Sequence, residues 1–391
     1  MISHSKHNRE PLIHLTRRLN VSQGYAWGIR IVAFILSILV CAIVTSILTD
    51  RITFASFFQY FTRGTFGTAQ NAWVIFRDTA VLLLLALAVT PCFKMRYWNI
   101  GGEGQALMGA LGAAVAISQF RTVMPLPALI LVALAFAIAF AIVWAVIPAL
   151  FKAQWNTNET LLTLMFNYIA GCLGAYFIKK VSPRGTGSLT FLKYIGDVGK
   201  IGDNEFAMII IIVAVITVLM AVYLKYSKHG YELSVVGESP NTARYVGIHN
   251  KAVVIRTLVL CGLLCGVAGF LLVCLKDHAF KAQTATQTTL GGLGFTAVLV
   301  SWLAHFNPLA MVLTAFLVAF ISRGATGVKT PGRLGDSYAS MMVGIFFFFI
   351  IATEFFINFK ISFRSRGEIP REPDDLPDRP EDKPTPLGAQ A

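Results

Sequence analysis

Asn99, Glu103 and Gln105 are the first residues in this sequence that could do chemistry. They stand among three glycines in the run Trp98-Asn99-Ile100-Gly101-Gly102-Glu103-Gly104-Gln105. An apolar stretch follows it directly, so the run opens a hydrophobic helix. Ionisable groups in such places are costly and often functional. Glycine permits positive φ and close backbone approach. Glu103 falls in a first helical turn, where the macrodipole favours an anion. Two roles fit these residues. The turn lines or braces a polar path, or Glu103 is an interfacial helix cap that serves the fold alone.

A second cluster, Gln154-Trp155-Asn156-Thr157-Asn158-Glu159-Thr160, leads into another apolar run. Thr157 or Asn158 can cap it, and Glu159 again occupies a first turn. Asn167 follows eight positions after Glu159, close to the same helix face. An Asn at that depth needs a partner or water. Holding a neighbouring helix and touching a polar solute both satisfy it. Asn99, Glu103, Gln105, Asn158, Glu159 and Asn167 are thus the candidate path residues.

The third cluster is the polar segment 226–251, with Tyr231, Glu232, Gly237, Glu238, Pro240, Ala243, Arg244 and Gly247. It divides into two short amphipathic pieces at Gly237 and Pro240. Ser239 can cap a helix that has Pro240 at its first position. A short helix lying across a membrane face suits the docking of another protein, and an ordinary solvated loop fits the spacing equally well.

Other chemistry is missing from the pattern. The only Gly-Lys pair, Gly199-Lys200, is followed by Ile201, so no phosphate-binding loop of the G-x-x-x-x-G-K-[ST] type exists. Neither H-E-x-x-H nor G-x-S-x-G occurs. No catalytic residue is expected. The six cysteines make no C-x-x-C pair, and Cys261 and Cys265 have no His or carboxylate at ligand spacing. No metal site is expected, and the cysteines read as small packing residues.

The elements that position these clusters are membrane helices. The chain of 391 residues is 55% hydrophobic and 14% charged, against ~25% charged in soluble proteins. Ile31–Leu48 and Met208–Leu224 carry no charge at all. A bilayer core of ~30 Å needs ~20 helical residues to cross. Ten spans are expected, over 31–49, 77–93, 103–120, 125–148, 159–178, 206–225, 253–275, 288–304, 308–322 and 338–359. The class is an all-α polytopic membrane protein of about ten transmembrane helices. Even span number puts both termini on one side. With them inside, that side holds 19 of the 33 Lys and Arg, in keeping with the positive-inside rule. The net charge of +13 therefore sets orientation, and no nucleic-acid partner is implied. Three parts follow: a basic cytoplasmic arm over 1–28, a transmembrane domain over 29–359, and a Pro-rich acidic tail over 360–391 expected to be disordered. Gly101–Gly104 and Gly291–Gly294 echo one another 190 positions apart. The echo points to a transporter of two repeated halves; the general abundance of glycine in membrane helices accounts for it as well.

The three clusters resemble the permease subunit of bacterial ABC importers, in the branch that serves nucleosides and simple sugars, related to ribose and branched-chain amino acid permeases. The most specific likeness is Asn99-Ile100-Gly101-Gly102-Glu103-Gly104-Gln105. Asn158-Glu159-Thr160 through Leu164-Met165-Phe166-Asn167-Tyr168-Ile169 is similar to a second family pattern, with Phe166 where a smaller residue is usual. Gly230–Leu233, Gly237–Pro240 and Ala243–Ile248 resemble the family's cytoplasmic loop, and Gly291–Phe295 with Asn307-Pro308-Leu309 also fits. The likeness covers roughly 75–358 and leaves out the arm and the tail. It implies a bacterial inner-membrane complex: a second permease chain, an ABC ATPase that carries ATP and Mg, and an external solute-binding lipoprotein. On this reading the chain holds no cofactor, and Tyr231, Glu232, Gly237, Glu238, Pro240, Ala243, Arg244 and Gly247 dock the ATPase. The solute is a nucleoside, sugar or flavin. A secondary transporter driven by an ion gradient is the competing class. It would want carboxylates near the midplane, whereas Glu103 and Glu159 stand near span ends.

Overall fold

Long runs of Leu, Val, Ile, Ala and Phe can satisfy their backbone in lipid only by closing helical hydrogen bonds within the segment. The computed structural model describes residues 13–18, 22–182, 187–195, 198–202, 204–281 and 289–363. Its elements are β1 (Ile13–Arg17), α1 (Gln23–Leu48), α2 (Phe54–Phe66), α3 (Ala69–Lys94), α4 (Gly102–Phe120), α5 (Leu126–Trp155), α6 (Glu159–Val181), β2 (Ser188–Thr190), α7 (Leu192–Ile195), α8 (Ala207–Tyr226), α9 (Lys228–Glu238), α10 (Pro240–Tyr245), α11 (Asn250–Leu271), β3 (Ala279–Lys281), α12 (Leu293–Leu303), α13 (Pro308–Gly332), α14 (Tyr338–Asn358) and β4 (Phe359–Phe363). A π-helical turn, Leu272–Lys276, extends α11. Among the described residues, eight helices are long and apolar enough to cross a membrane: α1, α3, α5, α6, α8, α11 with its π turn, α13 and α14.

The remaining two expected spans are α4 and α12. Helix α4 is 19 residues long and buried along almost its whole length. Helix α12 corrects the expected span over 288–304, of which 288 lies outside the described residues. At 11 residues it rises only ~16 Å, about half a bilayer core. Gly291 and Gly292, at φ 66° and 82°, start it abruptly, a conformation that favours glycine.

Two compact units divide the chain: the ends, up to Phe34 and from Ile350, and the body Ile35–Phe349. In the first, β1 pairs antiparallel with β4, Ile13 opposite Phe363 and Arg17 opposite Phe359, and Arg30 meets Glu354 at 3.2 Å. Residues 13–17 of the expected arm therefore pair with the first residues of the expected tail, and residues 1–12 and 364–391 lie outside the described residues.

In the body, α3, α4, α5 and α11 form the core. Small residues set their spacing. Ala133, Ala137, Ala141 and Ala145 recur every fourth position of α5 and are fully buried. Gly262 and Gly266 of α11 face them; a Cβ on Gly266 would stand 2.7 Å from the Ile138 Cα. Such contacts let membrane helices approach where no hydrophobic effect drives them together. The segment between the first two expected spans carries α2, which packs on α13 through Gly64 and Gly327.

Candidate functional site

After α3 the chain turns back over 95–101 and enters α4 among other helices. Asn99 is wholly buried. Its Oδ1 accepts from the Gly101 N–H at 3.0 Å and from Gln105 Nε2 at 3.3 Å. Its Nδ2 lies 3.3 Å from Cys261 Sγ of α11, and that thiol donates to Gln105 Oε1 at 3.1 Å. From α6, Thr163 Oγ1 accepts the Ile100 N–H at 3.3 Å. Asn167 Oδ1 accepts the Gly104 N–H at 2.8 Å, and its Nδ2 donates to the Ile100 carbonyl at 3.0 Å. Asn167 thus takes up one of the first-turn N–H donors that α4 leaves open and, in addition, the carbonyl of Ile100 just before the helix. Gly104 leaves room for it: a Cβ would lie 2.7 Å from Asn167 Oδ1.

Glu103 is 2% exposed. Its Oε1 accepts the Gly292 N–H at 3.0 Å and its Oε2 the Gly294 N–H at 2.6 Å. These are among the first backbone donors of α12, which have no partner within the helix. The two glycine turns that echo one another in the sequence are therefore in contact. Glu103 caps a helix, but that helix is α12 and not its own, and the cap is buried. The carboxylate also lies against the positive end of the α12 dipole. Thr90 and Ser301, 2.9 Å apart, join α3 to α12 about two turns further along α12.

Asn99, Glu103, Gln105 and Asn167 are thus brought into one buried network. Asn158 and Glu159 are elsewhere. Asn158 is exposed and caps α6, accepting the Leu161 N–H at 3.2 Å. Glu159 pairs with Lys152 at 2.8 Å. It lines a groove of about 570 Å³ together with Arg96, Gly237, Glu238, Arg244 and Lys251. The fourth to sixth candidates by chain order are therefore split between two places that spacing along α6 made look like one face.

The groove is built by the segment 226–251, which folds as α9 and α10. Ser227 caps α9, accepting the Gly230 N–H at 2.9 Å, and Ser239 caps α10, accepting the Thr242 N–H at 3.3 Å with Pro240 at the first position. Gly237 lies so close to the Lys94 carbonyl that any side chain would fall on it. Ala243 is fully buried, and Gly247 at φ 79° ends α10. Glu232 is buried beside Arg256 at 4.0 Å. His229 bridges Tyr223 Oη at 2.6 Å and Thr257 Oγ1 at 3.2 Å, which ties α9 to α8 and α11. Burial pushes the His229 pKa below its usual value, Glu232 and a Val253 backbone bond oppose this, and Arg256 adds to it. Tyr97, on the groove wall, is held well above the usual phenol range by burial, with the nearby Cys92, Glu159 and Cys261 acting in the same sense. Three large side chains point outward: Tyr231, Val246 and Tyr245, the last 92% exposed.

Spacing gave no sign of Asp78 and Lys276. Asp78 stands nine residues inside α3 and meets Lys276, at the end of the π turn, at 3.3 Å and Arg77 at 3.0 Å. The adjacent Arg77-Asp78 pair at an expected span edge was the available signal, and it read as a boundary.

Residues 71–351 match a family described as "Branched-chain amino acid transport system / permease component". The nucleoside ABC transporter permease protein NupB of Lactococcus lactis subsp. cremoris is 26% identical over 307 residues, 75% of this chain and 82% of its own. The glucose ABC transporter permease protein TsgB13 of Haloferax volcanii is 25% identical over 307 residues, 73% and 78% of the two chains. The guanosine ABC transporter permease protein NupP of Bacillus subtilis is 26% identical over 342 residues, 84% and 94%.

Proposed function

We propose, for a chain that belongs to the branched-chain amino acid transport system permease family, that it forms the solute path of an ABC importer and is driven through α9 and α10. The chain is a multi-pass permease subunit. It moves a small polar solute of the nucleoside or sugar kind, as the names of its relatives suggest. ATP and Mg reside on a separate ATPase, a second permease chain completes the path, and an external lipoprotein delivers the solute. Nothing in this chain hydrolyses ATP.

One observation carries the coupling: Gly237 is seated on the Lys94 carbonyl. A push on α9 and α10 has no slack to absorb it. It passes to the end of α3 and then to the turn over 95–101, whose hydrogen bonds hold α4, α6 and α11, while Glu103 holds α12. Exposed Tyr231, Tyr245 and Val246 offer apolar contacts. Around them Arg96, Lys152, Arg244 and Lys251 outnumber Glu159 and Glu238 in the groove, so the docking surface is basic and suits an acidic face. This end faces the cytoplasm, as its Lys and Arg require.

Tyr245→Ala and Arg244→Glu test the coupling. Both residues are exposed, so the fold should be unaffected. In the reconstituted complex, uptake and solute-stimulated ATP hydrolysis should fall together. Full retention of both in both variants would refute docking at α9 and α10. A gradient-driven transporter would draw on Asp78 and Lys276, but these neutralise one another. Uptake by the isolated chain without ATP would favour that alternative.

A further inference from the structure

The unit made by the two ends of the chain, up to Phe34 and from Ile350, lies almost wholly outside the family match over 71–351. Its described residues hold four Lys and Arg side chains, Arg17, Arg18, Arg30 and Lys360, against one carboxylate, Glu354. That carboxylate pairs with Arg30 at 3.2 Å. Arg18 directly follows β1, and its N–H donates to the Asn358 carbonyl at 2.8 Å. The Arg18 guanidinium lies over the Tyr25 ring, 4.6 Å from its centroid. Its Nε is buried and makes no hydrogen bond among the described residues. A charged donor left without an acceptor is costly, so this guanidinium is short of an anion.

The groups around it are layered along α1. Tyr25 and Trp27 are exposed, and Arg30 lies over Trp27 at 5.7 Å. Tyr and Trp side chains belong at the headgroup level of a membrane. Ile31 and Val32, exposed and apolar, follow after a rise of ~6 Å. The headgroup zone on each side of a bilayer is ~5–8 Å thick, so the layers match it. Gly24 and Gly28, one turn apart and both exposed, leave this side of the helix open: a Cβ on either would meet nothing within 4 Å. Val32 continues the same helix face. A furrow therefore runs from a guanidinium, past aromatic rings and bare backbone, to an apolar surface.

We propose that this furrow seats one anionic phospholipid of the inner leaflet, with its phosphate at Arg18, its glycerol along Gly24 and Gly28, and an acyl chain over Val32. A phosphate oxygen supplies the acceptor that Arg18 Nε lacks, and guanidinium–phosphate hydrogen bonds are among the strong ones. The cationic excess of the unit disfavours the ammonium of a zwitterionic lipid. Each Lys or Arg near the surface contributes about fivefold in affinity for anionic lipid. The reading is independent of the solute and of the ATPase.

The test measures binding of tritiated phosphatidylglycerol and tritiated phosphatidylcholine, each in mixed micelles, to the immobilised full-length chain. Phosphatidylglycerol should bind at least about fivefold more tightly. Arg18→Gln should lower its affinity by about fivefold and leave phosphatidylcholine unchanged. Gly28→Leu touches nothing within the protein but fills the furrow, and should weaken both lipids. Arg121→Gln is the control, since Arg121 is exposed and stacks on Tyr194 in the same way, at 4.3 Å; it should change neither. Inorganic phosphate should displace no more lipid than sodium chloride of equal ionic strength. Equal affinity for the two lipids, or equal losses in Arg18→Gln and Arg121→Gln, would overturn the site at Arg18. Unchanged binding in Gly28→Leu would overturn the furrow. Specific displacement by inorganic phosphate would mean a site for soluble anions and overturn the lipid assignment.

Discussion

Replacing Glu103 by alanine removes the carboxylate that binds Gly292 and Gly294, at 3.0 and 2.6 Å. A hydrogen bond to a charged group contributes ~1.5–3 kcal/mol net, so the pair contributes about 3–6 kcal/mol. Interhelical hydrogen bonds between neutral groups in membranes average only ~0.6 kcal/mol; two of those would give about 1 kcal/mol. The larger value should apply, because the first donors of α12 have no partner within the helix and lipid supplies none. Glu103→Gln keeps one acceptor oxygen without the charge and should lose about half as much. Large domains shift by ~2–4 °C per kcal/mol. Glu103→Ala should therefore lower the melting temperature by on the order of 10 °C, with Glu103→Gln between it and wild type. Tryptophan fluorescence of the detergent-solubilised chain reports the displacement of α12 against the α4 turn, since Trp98, just before that turn, and Trp302, at the far end of α12, have ring centroids 5.1 Å apart. A shift of only the neutral-bond size, or equal shifts for Ala and Gln, would refute the assignment of Glu103 as a charged cap of α12.

Three further outcomes are expected. Asn167→Leu leaves the Gly104 N–H and the Ile100 carbonyl unpaired; at ~1–3 kcal/mol for each buried group it should destabilise by about 2–6 kcal/mol in a denaturant titration, whereas exposed Asn158→Ala should cost only its cap, ~1 kcal/mol. Gly266→Val has no space against Ile138, so it should force α5 and α11 apart and cut the yield of folded chain in size-exclusion chromatography; a normal yield would contradict the close α5 contact. For His229, a folded pKa below the ordinary 6.5 means that its contribution to stability is complete above that value and is lost as pH falls through the lower folded value. The melting temperature should therefore fall on acidification below about 6.5, and His229→Gln, which cannot titrate, should flatten that part of the curve.

Much of the architecture was legible because lipid leaves the backbone one local solution. An apolar run of membrane length must close its own hydrogen bonds, so Ile31–Leu48 and Met208–Leu224 read as helices without reference to any other segment. Caps are local too, and Ser239-Pro240 marks the start of α10 in four residues of sequence. The likeness carried by the three clusters also held over residues 71–351.

Meetings between distant segments were not legible. Glu103 and Gly294 are 191 positions apart, and no periodicity tells a carboxylate which helix it will cap. The same gap hid the half-length of α12: Leu293–Leu303 is mostly apolar, and only the left-handed Gly291 and Gly292 with the buried Gly294 against Glu103 show that it starts within the bundle. Asp78 looked like the edge of a span until Lys276 was brought beside it. Glu159 and Asn167 share a helix and a face, yet one pairs at the groove and the other deep in the core. Local hydrogen bonding fixes where each helix runs. Which polar groups become partners is decided by small residues, such as Gly104 and Gly266, that let particular helices come close enough for a bond to form.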